Sequence, residues 1–159
     1  MPNTRRKAIK GLKLGDTFIV TRNFTREDTL EFGRMTRDYN PVHFEPRFAK
    51  GKGFEDLISH GLLTGSMICE IGGQMAWLAT GMSFRFKGPV YAGDTVTCRM
   101  IVTEVDDIGL AEATAKFTNQ HGDLVLEADL TGQLPGSVDR EILREMLLEG
   151  DPTNPLTQK

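Results

Sequence analysis

The spacing of apolar residues changes character along the chain, and each change marks an element. Asp16 to Phe24 (DTFIVTRNF) is short and rich in β-branched and aromatic residues, which predicts a strand. Thr25 follows, with Asp28 three residues on. This is a capping box with the shorter acid, and it predicts a helix to about Arg37 with Leu30 and Met35 toward the core. Pro41 biases Asn40 away from helical angles, so the helix ends before it. Pro46, Gly51 and Gly53 predict irregular backbone next. From Ser59 to Ala79, the residues Leu62, Leu63, Met67, Ile68, Ile71 and Met75 follow helical spacing and predict one long helix. Its four glycines each cost about 1 kcal/mol against alanine. Such a helix survives only if a surrounding layer buries it.

Beyond that helix the period becomes two. MSFRFKGPV, DTVTCRMIVTEV, GLAEATAKFTN and DLVLEADLTGQL alternate or are β-branched, and YAGD, DDIG and QHGD separate them. That is the pattern of an antiparallel meander. SVDREILREMLLEG then predicts an amphipathic helix with Ser137 as its cap and Gly150 as its stop, and DPTNPLTQK reads as a frayed tail. The order gives an α+β fold, an antiparallel sheet wrapped around one long central helix. Residues 1–136 form the single predicted domain, with residues 137–159 as a C-terminal helix and tail.

Composition narrows the function classes. The chain has 159 residues, 39% apolar and 26% charged, which suits one soluble domain with a real core. A net charge of -3 gives no reason to expect a nucleic-acid partner. The basic segment Arg5, Arg6, Lys7, Lys10 and Lys13 reads as a solvated arm, with no apolar stretch that would make it a secretory signal. The most apolar window, Gly61 to Ala79, contains Glu70, Gln74 and four glycines and is a poor membrane span. Cys69 and Cys98 are far apart and without CxxC spacing, which reads as free buried thiols in a cytoplasmic setting. His43, His60 and His121 lack metal-ligand spacing, and no phosphate-binding glycine motif is present, so neither a metal nor a dinucleotide cofactor is expected.

The chemistry concentrates in MTRDYNPVHFEPRF. Asp38 and His43 stand five residues apart, just past a helix end. Held a few ångströms apart, a carboxylate and an imidazole can bind one water, take a proton from it and return a proton to a substrate. The same spacing also fits an aspartate that caps a turn and an idle histidine. Further on, SHGLLTGS opens a helix. Gly61 there lets a ligand approach a backbone N–H, or simply permits close helix–sheet packing. Ser66 faces the Asp38 loop or bonds a carbonyl of its own helix. His60 reads as a helix-start residue without chemistry, and His121 as an exposed turn.

RDYNPVHFEPRFAKGKGFEDLISHGLLTGSM resembles the MaoC-like family of (R)-specific enoyl-CoA hydratases and dehydratases. Its signature is Asp-x-Asn-Pro-x-His, here Asp38, Asn40, Pro41 and His43, followed by His-Gly and a serine, here His60, Gly61 and Ser66. FRFKGPVYAGDTV resembles the family's strand-turn motif, and the likeness runs over about residues 10–133. The resemblance implies the hot-dog fold and reversible hydration of a trans-2-enoyl thioester to the (3R)-3-hydroxyacyl product, without a cofactor. It implies Asp38 and His43 as the catalytic pair. Gly61 would polarise the thioester carbonyl, Ser66 would support the site and Asn40 would orient the loop. The implied partners are acyl-CoA or an acyl carrier protein thioester, and a second copy of the chain in a homodimer or higher homo-oligomer. A thioesterase on the same fold, or a non-catalytic acyl-CoA-binding regulator, is the alternative; the fold does not separate them, and the Asp-x-Asn-Pro-x-His loop favours hydration. The short stretch from Gly73 to Met82 and the extension after Pro135 depart from the family pattern.

Overall fold

A computed structural model describes residues 2–156. In chain order it contains α1 (Pro2–Lys10), β1 (Thr17–Asn23), α2 (Arg26–Thr36), a 3-10 turn (Pro41–His43), α3 (Pro46–Gly51), α4 (Gly61–Gly65) and α5 (Met67–Met75). β2 (Leu78–Phe86), β3 (Thr95–Val105), β4 (Leu110–Thr118), β5 (Leu124–Gln133) and α6 (Ser137–Leu148) follow. The strands form one antiparallel sheet in the order β1-β3-β4-β5-β2. The α+β class and the meander follow from the period-2 pattern. Along β3 the residues Val96, Cys98, Met100 and Val102 are buried, and along β4 Ala111, Ala113, Ala115 and Phe117. They join Met67, Ile68, Ile71 and Met75 of α5 in one core.

The central helix differs from the single rod that the spacing predicts. It is two segments joined at Ser66, whose N–H donates to the Leu62 and Leu63 carbonyls at 2.9 and 3.2 Å. Ala76 then turns left-handed (φ 53), and Trp77 N–H closes back on the Gly72 carbonyl at 2.9 Å, which stops the helix at Met75, four residues short of Ala79. β2 therefore starts at Leu78 rather than Met82. The small residues have a direct use. A Cβ on Gly65 would stand 3.0 Å from the Phe84 ring, and one on Gly61 would stand 2.4 Å from the Phe86 ring. The glycines thus receive two aromatic side chains of β2.

Thr25 caps α2 as expected, with Asp28 N–H donating to its Oγ1 at 3.1 Å and Thr25 N–H donating to the Asp28 carboxylate at 2.7 Å. The inward face of α2 is Thr29 and Gly33, not Met35, which is 80% exposed. Residues four apart share a helix face, whereas Leu30 and Met35, five apart, do not. The expected irregular stretch after His43 includes α3. Cys69 is exposed rather than buried. Cys98 is buried, and burial pushes its thiol up to about 12.

Both chain ends are more ordered than their polarity predicts. Residues 2–10 form α1, which packs on α5 and α6 instead of forming a solvated arm. Arg5 is buried, donating to the Gly73 carbonyl at 3.2 Å and standing 3.4 Å from the fully buried Asp151 carboxylate. Asn154 exchanges side-chain hydrogen bonds with Gln74 at 3.0 and 3.1 Å. The segment read as a frayed tail is therefore docked through Asn154, and its last residues, 157–159, lie outside the described residues. α6 begins after Gly136, whose N–H donates to Asp139 at 2.8 Å, so Ser137 is the first helical residue rather than the cap.

Removing one partner of a buried ion pair leaves the other uncompensated. Asp151→Ala is expected to destabilise the fold by about 3 kcal/mol, measured by urea unfolding. A loss within error of zero would show that the terminal clasp contributes nothing.

Candidate active site

The site is built at the end of α2. Arg37 ends that helix in the left-handed conformation (φ 58) and turns the chain outward at Asp38. Asp38 Oδ1 accepts the Asn40 N–H at 3.1 Å, and Asn40 Oδ1 accepts the Val42 N–H at 3.3 Å. These two side-chain bonds wind the 3-10 turn that carries His43. Arg26 of α2 donates to the His43 carbonyl at 2.6 Å and fixes the far side of the turn. Asp38 therefore does cap a turn. That bond occupies Oδ1, and its other oxygen, Oδ2, lies 3.9 Å from His60 Nε2.

His43 is buried, and its Nδ1 lies 2.8 Å from the Ile58 carbonyl. A carbonyl only accepts, so Nδ1 carries the proton and Nε2 presents a lone pair. Burial holds the His43 pKa below the ordinary histidine value. Neighbouring His60 and Arg26 add to this, while the Ile58 bond and Asp38 oppose it. At neutral pH His43 is a proton acceptor.

The loop faces a cleft of about 450 Å³. Asp38, Asn40, His43, His60 and Gly61 line it, with an apolar wall that includes Val42 and Phe86. Gly61 N–H is the first amide of α4, and it has no hydrogen-bond partner among the described residues. Among the residues expected from the sequence, the structure brings Asp38, Asn40, His43 and Gly61 to this cleft. Ser66 lies outside the lining, and its Oγ donates to the Leu63 carbonyl at 2.6 Å. His121 is exposed in the turn between β4 and β5.

Two further residues of the cleft carry little signal in the spacing. His60 is 2% exposed and stacks on His43 with ring centroids 3.8 Å apart. Thr64, one turn further along α4, also lines the cleft, and its buried hydroxyl has no partner among the described residues. His60 was legible only as the partner of Gly61. Thr64 carried no signal, because one threonine in an apolar helix has many uses.

One carboxylate oxygen and one ring nitrogen from each histidine lie within 4.8 Å of one another. A single water bridging two acceptors spans about 4.5 Å, which this spacing matches. The same three residues offer metal-ligand atoms. Two ligands of one metal, however, aim lone pairs at a common point, whereas these rings stack at 31° with centroids 3.8 Å apart. The arrangement suits a hydrogen-bonded water better than a metal.

The sequence profile described as "MaoC like domain" matches residues 13–122. The chain belongs to the MaoC-like family. It is 30% identical over 131 residues to the (R)-specific enoyl-CoA hydratase of Aeromonas caviae, covering 79% of this chain and 98% of that protein. It is 31% identical over 130 residues to the mitochondrial 3-hydroxyacyl-[acyl-carrier-protein] dehydratase of Arabidopsis thaliana, covering 78% of each. The solved (R)-hydratase from A. caviae superposes with a TM-score of 0.73, covering 79% of this chain and 99% of that one. The MaoC-like resemblance and its hot-dog fold are thereby established. Among the described residues no helix is long and apolar enough to cross a membrane.

The low His43 pKa fixes a sign. The unfolded chain binds a proton at the ordinary histidine value and the folded one only at lower pH, so stability falls as pH drops between the two values. Unfolding free energy measured against pH is expected to decline less steeply across the histidine range in His43→Gln than in the wild type. Identical slopes would place His43 in water.

Proposed function

We propose that this MaoC-like protein hydrates trans-2-enoyl thioesters reversibly to (3R)-3-hydroxyacyl thioesters, with one water held between Asp38 and His43. The observation that carries this reading is the pairing of the Asp38 carboxylate with the bare Nε2 of a neutral His43 on one cleft. Both groups accept, so they take the two hydrogens of a water and leave its oxygen lone pair toward the substrate. As that oxygen bonds to C3, one water proton passes to the pair, and C2 takes a proton from the same pair. The sum is addition of water, with no change in redox state. Dehydration runs the same steps backward. Because the two groups share one water, the proton belongs to the pair rather than to either residue.

Charge develops on the thioester oxygen as C3 is attacked, and a fixed donor there lowers the barrier. In this reading Gly61 N–H is that donor. Ser66 supports the site indirectly, by fixing the turn between α4 and α5, and Asn40 holds the loop. The resemblance to hydratases and acyl-carrier-protein dehydratases supports a thioester of CoA or of acyl carrier protein as substrate. Thioesterase chemistry on the same cleft would need water aimed at the carbonyl carbon instead, and two acceptors beside Gly61 serve the conjugate position equally well, so the product decides. Purified protein is expected to consume enoyl-CoA absorbance without releasing free thiol. Asp38→Asn and His43→Ala are each expected to lower kcat by about 10²-fold, and the double variant by far less than the product of the two. Near-wild-type turnover in both single variants would end the water-activation reading.

The working unit in this reading is a homodimer. β2 is an edge strand of the sheet, and Leu78, Met82 and Phe86 on it are 72%, 45% and 57% exposed. A long apolar edge is normally paired or covered. Sedimentation is expected to give a dimer for the wild type and a monomer for Met82→Asp. A wild-type chain that is active as a monomer would contradict this.

A further inference from the structure

We infer that His60 is a positioning residue with two separable duties: it anchors the Asp38 loop through its Nε2–H and shields His43 with its ring. The inference rests on the hydration reading for its catalytic consequence, but its geometry stands apart from that reading.

Three observations carry it. His60 Nε2 lies 3.0 Å from the Asp38 main-chain carbonyl, so the proton sits on Nε2. Its Nδ1 has no hydrogen-bond partner among the described residues. The ring stacks on His43 at 3.8 Å and is itself held by Phe32 at 5.2 Å and Phe44 at 5.8 Å. The fold makes room for this. A Cβ on Gly33 would stand 2.7 Å from Phe44 and 3.4 Å from His60, so only a glycine lets α2 approach them this closely. An ordinary core histidine needs one partner. This one touches both members of the water-binding pair, one through a hydrogen bond and the other through a ring face.

The consequences of losing each contact differ. Without the Nε2–H donor, the exposed Asp38 loop loses its tie to the buried wall, and misplacement of a reacting group by about 1 Å costs about 10²-fold. Without the ring, water reaches His43 and the burial that lowers its pKa is relieved. The charged and titratable groups facing this pair are Asp38 on the loop, Arg26 from α2, and the two histidines themselves. Asp38 and Arg26 act on His43 in opposite directions.

Two variants separate the duties. His60→Phe keeps a ring and loses the donor. It is expected to lower kcat by about 10²-fold with KM little changed, while the His43 titration, followed by NMR, moves up less than in His60→Gln, because the ring still covers it. His60→Gln keeps a donor near the Nε2 position and loses the ring. It is expected to recover at least about tenfold of that kcat loss, with the His43 titration and the acid limb of kcat/KM moved to higher pH. Two folded variants with kcat within about twofold of wild type and an unmoved His43 titration would overturn the inference. If either variant fails to fold, the wild-type chain still decides: nitrogen NMR must show His60 protonated at Nε2, and an Nδ1–H tautomer would sink the anchor. A wild type that hydrates no enoyl thioester would defeat the functional reading alone, because the NMR results do not depend on turnover.

Discussion

The Nδ1–H bond from His43 to the Ile58 carbonyl is the constraint on which the site depends. A carbonyl cannot donate, so this one contact fixes the tautomer and leaves Nε2 unprotonated on a residue that lines the cleft. Burial then keeps that nitrogen unprotonated near neutral pH. Break the bond and the imidazole is free to rotate or exchange its proton. The acceptor comes from the stretch before α4 and the donor from the 3-10 turn after α2. The site exists only because the fold presses these segments together.

That pressing is the work of the helix inside the sheet. α4 and α5 bury Met67, Ile71 and Met75 against β-strand residues such as Met100 and Phe117. Gly61 and Gly65 take the rings of Phe86 and Phe84 at close range. The glycines cost helix propensity and are retained because only they admit the aromatic rings so near the backbone. The terminal elements finish the other end. Arg5 of α1 and Asn154 of the C-terminal segment close over Gly73 and Gln74, near the end of α5.

Much of this was legible in the sequence. The period-2 strands, the Thr25 capping box and the Asp38–His43 loop all announce themselves through local rules that the structure obeys. The spacing also placed Gly61 near the head of a helix, which the structure puts on the cleft. What escaped was decided by tertiary contacts. The break at Ser66 and the left-handed turn at Ala76 interrupt a spacing that reads as continuous. The basic N-terminal segment folds as a helix because Arg5 finds buried acceptors more than sixty residues away, among them Gly73. Met35 points outward because Thr29, Phe32 and Gly33 define the packed face of α2. His60 looked idle because both of its contacts are side-chain geometry across the fold.

The central claim is that the bound water attacks C3 of a conjugated thioester and leaves the thioester intact. Its most direct test is to run the reaction in water enriched in heavy oxygen and locate the label by mass spectrometry. The account predicts label in the 3-hydroxyl group of an intact hydroxyacyl thioester. Label in the carboxylate of a released free acid would contradict it and turn the same cleft into that of a thioesterase.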